Sequence, residues 1–536
     1  MFITCSDLRF AWPGGEVVFD GLDLAAGSGR TGLIGANGCG KSTLLKVIAG
    51  ELRPDRGAVH VAGELGYLPQ EVARRADRRV DEVLGIAAVR AAVAAIEAGD
   101  AAEETFAIVG DDWDVADRAR AALDRLGLEH VELDRAVGEL SGGESVLLGL
   151  ACELLREPDV LLLDEPTNNL DFEARQRLHE VVAGWKGALL VVSHDRELLE
   201  LVDEIADLRD GGIQRHGGTL SDYERAVAVE QEAAQRAVRA GEADLRRQRR
   251  DLVESKTTLD RRRRYGKKMH ESKREPKVVM GERKRAAQES AGKHRIMHEQ
   301  RLERAEERLA EAQEAVREDD EIRVDLPDTL VASGRRIVRL SEVRLRCGPE
   351  LSLDLQGPER IALMGRNGVG KSTLLRTVDG SEVPVSGEVA LQVPARHLPQ
   401  RLDLLDDDRS VVDNVAAFAP NASPNAIRAK LARFLFRGGE ADVLAGALSG
   451  GERFRATLAA LLLAEPAPQL LMLDEPTNNL DMASVRQLST ALASYRGALL
   501  VVSHDLPFLR DLRLTRWVRL EQHELVDIDP NSDALR

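Results

Sequence analysis

Two uninterrupted apolar runs, Val160–Leu163 and Leu189–Val192, each end where the chain turns polar. Runs this short and this complete predict strands buried on both faces of a parallel sheet. Open α/β sheets hold ligands at the carboxyl ends of such strands, so the polar residues that follow are candidates for chemistry. The middle of the chain keeps a different period. Val238, Leu245, Leu252 and Leu259 recur every seven residues, while Leu302, Ala305, Leu309, Ala312 and Val316 alternate by three and four. Both are seams of paired helices. Gly266, Pro276 and Gly281 stand between them and predict an antiparallel hairpin with its turn near 265–281. An arm of about 40 residues would span about 60 Å at about 1.5 Å per residue. Two helices lying flat on a globular part fit the same pattern. Pro327 and Gly334 mark the passage out of the hairpin.

The flanking regions repeat one another. Gly35-Ala36-Asn37-Gly38-Cys39-Gly40-Lys41-Ser42-Thr43 returns as Gly365-Arg366-Asn367-Gly368-Val369-Gly370-Lys371-Ser372-Thr373. Leu140-Ser141-Gly142-Gly143-Glu144 returns as Leu448-Ser449-Gly450-Gly451-Glu452. The run from Leu161 to Asp171 returns at 471–481, and Val191-Val192-Ser193-His194-Asp195 at 501–505. The first pair is offset by 330 residues and the later ones by 308 to 310, so the first copy holds about 20 extra residues between Gln70 and Ser141. Four ordered motifs occurring twice make the chain a duplication, with expected domains at 1–222 and 333–536 and a linker at 223–332.

Each GxxxxGKS/T stretch is a phosphate loop. Its glycines let backbone N–H groups surround phosphate oxygens at the positive end of the following helix. Lys41 and Lys371 are expected to hold the β- and γ-phosphates, and Ser42 and Ser372 to ligate Mg²⁺. Asp164 and Asp474 end apolar strands, where a carboxylate can bind the water shell of that ion. The adjacent Glu165 and Glu475 could orient and deprotonate an attacking water.

Charge changes the picture of the linker. The net charge is −17, yet residues 261–300 hold 14 Lys/Arg against 5 Asp/Glu, a local +9 that leaves −26 on the rest. A basic block on an acidic body reads as a polyanion-binding element or as a solvated helix face. The four cysteines Cys5, Cys39, Cys152 and Cys347 lie far apart with no CxxC pair, which offers no zinc site and suits a reducing compartment. The first residues show no basic stretch followed by an apolar one, and no run of about 18 apolar residues occurs, so neither a signal peptide nor a membrane span is expected.

Leu-Ser-Gly-Gly-Glu at 140–144 and 448–452 resembles the ABC signature, and with the other motifs it resembles ABC ATPases over about 420 of the 536 residues. The resemblance implies an α/β fold with two tandem P-loop ATPase domains paired head to tail. Each ATP would lie between one phosphate loop and the opposite signature: residues 35–43 with Ser449, Gly450, Gly451 and Glu452, and residues 365–373 with Ser141, Gly142, Gly143 and Glu144. Gln70 and Gln400 resemble glutamines that lie near Mg²⁺, and His194 and His504 resemble histidines that contact the γ-phosphate. Trp12 resembles an aromatic that stacks on adenine, whereas residues 343–348 of the second copy offer none. Leu147 stands where such proteins usually carry Arg, a place filled by Arg455 in the second copy.

Two cassettes in one chain, Glu-Pro-Thr-Asn-Asn-Leu-Asp in both, and a basic helical linker together resemble the ABC-F family. The linker stretches 273–277 and 281–288 are similar to those of antibiotic-resistance-type members. The resemblance implies a cytoplasmic monomer that hydrolyses ATP with Mg²⁺. It also implies binding to the ribosome, with the α-helical coiled-coil hairpin directed at rRNA and the P-site tRNA, and a role in protection against antibiotics. The alternative is the ATPase subunit of a transporter working with separate membrane proteins. A DNA-maintenance ATPase of the SMC type would carry its coil inside one cassette, and a UvrA-like protein would bring CxxC modules; neither pattern is present.

Overall fold

The computed structural model describes residues 2–70, 77–209, 211–271, 296–298, 300–313, 322, 324–346, 350–478, 480–521 and 524–529. The chain divides into two compact units, Met1–Leu220 with Asp320–Arg536, and Ser221–Asp319.

The first unit contains both copies. In the first copy a six-stranded sheet runs in the order Leu65–Leu68, Val160–Asp164, Ala188–Val192, Gly29–Ile34, Glu204–Arg209, Gly212–Gly217. All pairings are parallel except the last. Every residue of Val160–Asp164 and Ala188–Val192 is buried, as strands covered on both faces require. A three-stranded antiparallel sheet, Val17–Ala26, Phe2–Ala11 and Arg56–Ala62, closes over the helix Lys41–Ile48. Leu44, Leu45 and Val47 of that helix share one core with Ile3, Leu8, Phe19, Leu162 and Leu190. The phosphate-loop helix is thus gripped between two sheets, and its N-terminus cannot drift from the strand ends.

The second copy repeats this plan: Ala395–Leu398, Leu470–Asp474, Ala498–Val502, Arg360–Met364, Arg516–Leu520 and Leu525–Asp527 in the large sheet, with Glu350–Gln356, Arg336–Arg344 and Ser386–Leu391 in the small one. The α/β fold expected of both copies is present. The extra residues of the first copy are a pair of helices, Ala87–Glu97 and Glu103–Val109, between Val80–Val83 and Val115–Arg125. The second copy passes from Val411–Phe418 to Pro424–Leu431 without them.

The second unit is built on one helix of 52 residues, Leu220–Glu271, about 78 Å long at about 1.5 Å per residue. It runs unbroken through Gly266, which corrects the expected interruption there. One glycine costs about 1 kcal/mol in a helix, too little to stop a long one. Val238, Leu245 and Leu252 are half-buried, and Ala305 is buried, along the predicted seam. A Cβ on Gly241 would lie 3.3 Å from Leu309 Cδ1, so the missing side chain lets the segment 300–313 approach. Arg249 pairs with Glu306 at 3.2 Å and Arg308 with Asp244 at 3.8 Å. Partners whose numbers fall along one segment as they rise along the other define an antiparallel pair. Val316, Pro276, Gly281 and the basic stretches 273–277 and 281–288 lie outside the described residues. Among the described residues no helix is long and apolar enough to cross a membrane.

Candidate active site

Both phosphate loops close on their own lysine. Lys41 Nζ donates to the Gly35 and Ala36 carbonyls at 2.8 and 3.0 Å, and Lys371 Nζ to those of Gly365 and Arg366 at 2.6 and 3.1 Å. Gly35 and Gly365 have φ of 155° and 146°. A Cβ there would press on the Leu208 and Leu520 carbonyls at 2.5 and 2.6 Å, so only glycine fits. Gly40 and Gly370 are the left-handed N-caps of Lys41–Ile48 and Lys371–Asp379, which set the first-turn N–H groups of each helix at the loop. Gly38 and Gly368 also have positive φ, 84° and 80°, and have open space beside them.

A cavity of about 660 Å³ opens on the first loop. Asn37, Gly38, Cys39, Lys41, Ser42 and Thr43 line it, together with Trp12, Gln70, Glu165 and His194. Trp12 is 41% exposed, lines the cavity and makes a T-shaped pair with Phe10, with ring centroids 5.1 Å apart. The corresponding stretch of the second copy buries Val343 and Leu345, and Cys347 and Gly348 lie outside the described residues.

Ser42 Oγ donates to Asp164 Oδ1 at 3.0 Å, while Asp164 Oδ2 is buried without a partner, as is Asp474 Oδ1. Burial pushes Asp164 up against the pull of Ser42. A hydroxyl beside a buried, half-satisfied carboxylate fits a hard divalent cation. Gln70 and Gln400 are exposed, each two residues beyond a strand that pairs with the strand carrying Asp164 or Asp474.

The next residues are strained. Glu165 and Glu475 have φ of 48° and 46°, a region that costs a non-glycine residue on the order of 1 kcal/mol. Their N–H groups continue the parallel ladder onto Val192 and Val502 at 2.9 and 2.8 Å, which fixes the bend. His194 Nε2 lies 3.1 Å from Glu165 Oε1, and His504 Nε2 lies 3.2 Å from Glu475 Oε1. Burial pushes Glu165 up to about 8 and Glu475 up to about 7, against the pull of Lys41 and Lys371. Burial, reinforced by Lys41, drops His194 to about 3, and His504 falls well below its ordinary value through burial and Lys371. Both imidazoles are therefore neutral. Lys371 Nζ also donates to His504 Nε2 at 3.1 Å.

The two copies meet at these loops. Asp481 caps the helix Met482–Ser494 by accepting from Ser484 N at 2.8 Å, and its other oxygen accepts from Asn37 N at 3.0 Å across the interface. Asp171 does the same for Phe172–Ala183 and for Asn367 N at 3.4 Å, and Asn367 Nδ2 reaches the Asn169 carbonyl at 2.8 Å. Residue types alone assigned no function to Asp171 and Asp481; the repeat of Asn-Leu-Asp after each strand was the available signal. Ser141 and Ser449 lie elsewhere in hydrogen-bonding terms. Each caps its own helix and accepts from Glu144 N or Glu452 N in a capping box. Gly143 and Gly451 pack close to Asn169 and Ser484 of their own copies, and Gly142 and Gly450 begin the helices. The cavity at the first loop is lined by first-copy residues. Leu147 is buried, and Arg455 lies over the Phe436 ring at 5.4 Å.

Residues 20–168 and 349–478 match the family described as ABC transporter. The tylosin resistance ATP-binding protein TlrC of Streptomyces fradiae is 34% identical over 91% of this chain and 92% of its own. The energy-dependent translational throttle protein EttA of Mycobacterium tuberculosis is 32% identical over 92% and 87%, and the probable ATP-binding protein YheS of Escherichia coli is 31% identical over 93% and 75%. Among solved structures, an archaeal ribosome recycling factor, aABCE1, in complex with the stalk protein aP1, shares the fold with a TM-score of 0.58. It is 20% identical, and the match covers 97% of this chain and 90% of that one. Duplicated phosphate loops, each touched by the opposite copy, and relatives matched nearly end to end lead to one assignment: the chain belongs to the ABC-F family, two ABC ATP-binding domains in a single polypeptide.

Proposed function

We propose that the chain hydrolyses ATP at two sites between its cassettes and uses the cycle to act on the ribosome, modulating translation and protecting it against antibiotics that bind there. The observation that carries the enzymatic part is the reciprocal contact of Asp481 with Asn37 and of Asp171 with Asn367. Each phosphate loop already has the other cassette at its rim, so nucleotide can act as the joint between them. Bound ATP would draw Ser449, Gly450, Gly451 and Glu452 to the first site, and Ser141, Gly142, Gly143 and Glu144 to the second. The ribosomal part rests on the basic linker and on relatives named for tylosin resistance and for translational throttling. The same relatives disfavour the transporter-subunit alternative.

In this reading Lys41 and Lys371 give up their loop carbonyls to the β- and γ-phosphates. Ser42, Asp164 and Gln70, with Ser372, Asp474 and Gln400 in the second cassette, would hold Mg²⁺, which supplies charge neutralisation between the phosphates. Glu165 and Glu475 take the proton of the attacking water, and the neutral His194 and His504 orient the γ-phosphate. The deciding experiment is sedimentation of the purified protein with ribosomes, with membranes and with DNA, in ATP and in ADP. ATP-dependent pelleting with ribosomes is expected; pelleting with membranes instead would restore the transporter reading.

A pH profile follows from the glutamates. Their raised values mean that the free protein carries them protonated below about 7–8, so the base is absent there and appears as pH rises. The ratio kcat/KM reports the free enzyme. It should climb between about pH 6 and about pH 8.5, and a flat profile over that range would remove the general-base role.

The two sites should also bind unequally. An aromatic–nucleobase stack is worth roughly 1–3 kcal/mol. Trp12→Ala is expected to weaken nucleotide binding by about tenfold or more at the first site, measured in a Lys371→Ala protein, and to leave the second site unchanged in a Lys41→Ala protein.

A further inference from the structure

Beside the glutamates, a buried arginine of the first cassette reaches into the second. Arg175, on the helix Phe172–Ala183 that follows Asp171, has a side chain only 12% exposed. Its Nη1 donates to the backbone carbonyl of His504 in the other cassette at 3.2 Å and lies 3.3 Å from Asp195 Oδ2 in its own. His179 Nε2 stands 3.6 Å from the same carboxylate oxygen. The duplication places Val485 where Arg175 stands and Ser489 where His179 stands, at the offset of 310 that relates Asp171 to Asp481. Val485 packs on the apolar core of the second cassette and has no side-chain donor to offer the His194 carbonyl in return.

The position of His504 gives this contact its consequence. Its ring lies 3.1 Å from Lys371 Nζ and 3.2 Å from Glu475 Oε1, and its backbone N–H reaches Glu475 Oε2 at 3.3 Å. Holding the carbonyl of that residue fixes where the ring sits between the lysine and the glutamate. The charge of Arg175 also bears on Glu475 and on Asp505, whose carboxyl burial raises to about 6, whereas Asp195, buried but held by Arg175, falls to about 2.

We propose that Arg175 is a positioning residue for the second nucleotide site: supplied by the first cassette, it holds His504 in place through its carbonyl and so makes turnover at that site depend on contact between the cassettes. Among the described residues the first site has no reciprocal arginine, since Val485 stands at the matching position. The proposal rests on the two-site hydrolysis reading above. When the cassettes part, the Arg175 contact breaks and His504 loses an anchor, so the second site is competent only in the joined state. The first site, with a valine where the arginine would stand, depends on the joined state through the opposing signature but has no such anchor on His194.

The test is steady-state ATP turnover in two backgrounds. With Glu165→Gln, which isolates the second site, Arg175→Met should lower kcat about tenfold, the size of a lost hydrogen bond from a charged group, while KM stays within about twofold. With Glu475→Gln, which isolates the first site, the same change should leave kcat within about twofold. Arg175→Lys, which keeps a cation at the carbonyl, should restore a large part of the loss. Arg175→Met leaves the buried Asp195 carboxylate with only His179 and the Leu198 N–H and without its cation, and can fail to fold. Arg175→Met with Asp195→Asn removes both charges, keeps a capping side chain for Arg196–Leu199, and should give the same split. Equal losses in both backgrounds, or none in either, would overturn the proposal. A Glu165→Gln protein with no turnover at all would overturn the two-site reading beneath it.

Discussion

ATP turnover should fall by roughly 10²–10⁴-fold, the usual contribution of a general base, when Glu165 and Glu475 are both replaced by Gln. Nucleotide binding should persist. Each glutamate sits at a left-handed backbone position fixed by the N–H bonds to Val192 and Val502, and Gln occupies the same volume with the same backbone demand. Burial already raises both carboxyls, to about 8 for Glu165 and about 7 for Glu475, so an uncharged amide disturbs the resting site less than it would at an ordinary carboxylate. What it removes is the ability to accept a proton when water attacks. The phosphate contacts of Lys41, Lys371 and the loop N–H groups remain, so the cassettes should stay joined around unhydrolysed ATP. Phosphate release and nucleotide retention on a filter separate the two effects. If the proposed cycle on the ribosome holds, the same protein should accumulate on ribosomes and inhibit translation, because release would then require hydrolysis. Turnover by the double variant at the wild-type rate would end the role assigned to these residues.

Those two glutamates were legible because strand and chemistry coincide in sequence. Val160–Asp164 and Leu470–Asp474 are buried at every position, so an unbroken apolar run located them, and the acids that end them stand at the carboxyl edge of a parallel sheet. The phosphate loops were equally plain, since Gly35 and Gly365 occupy backbone positions that no side chain can enter. The contacts across the pseudo-symmetric interface were not legible. Asp171 and Asp481 look like ordinary helix caps, and they are; that the second oxygen of each reaches Asn367 or Asn37 depends on the docking of two cassettes whose sequences are separated by hundreds of residues. Arg175 has no motif around it and acquires meaning only beside His504. Among the described residues the seven-residue seam does pair two antiparallel segments, whereas Gly266 lies within a helix and does not stop it. A glycine penalty of about 1 kcal/mol is small beside the propensity of the arginines and lysines around it to stay helical.

Replacing residues 265–281 with a short Gly-Ser turn should abolish the effect on translation and leave ATP turnover within about twofold of the unaltered protein. The argument begins with charge. Arg261–Arg264, Lys267, Lys268, Lys273, Arg274 and Lys277 crowd the sequence at and just beyond the C-terminal end of a helix about 78 Å long, on a chain whose remainder is strongly acidic. Like charges packed this densely repel each other unless polyanion faces them, so the arrangement favours a phosphate-rich partner such as rRNA or the P-site tRNA. Because the contacts are to phosphate, they should be largely blind to sequence and sensitive to salt, with each one contributing about 0.7–0.9 to the slope of binding against salt concentration. The tip-replaced protein should therefore bind ribosomes with a shallower salt dependence, and binding should weaken only in part, since the cassettes have their own surfaces to offer. Catalysis should survive because the described phosphate loops, glutamates and histidines belong to the unit Met1–Leu220 with Asp320–Arg536, and the replaced residues to Ser221–Asp319. The measurement is translation in vitro with a panel of drugs that bind the large ribosomal subunit, comparing the two proteins at matched ATPase activity. Undiminished protection by the tip-replaced protein would take the hairpin out of the mechanism and leave the basic block as a solvated face of a long helix.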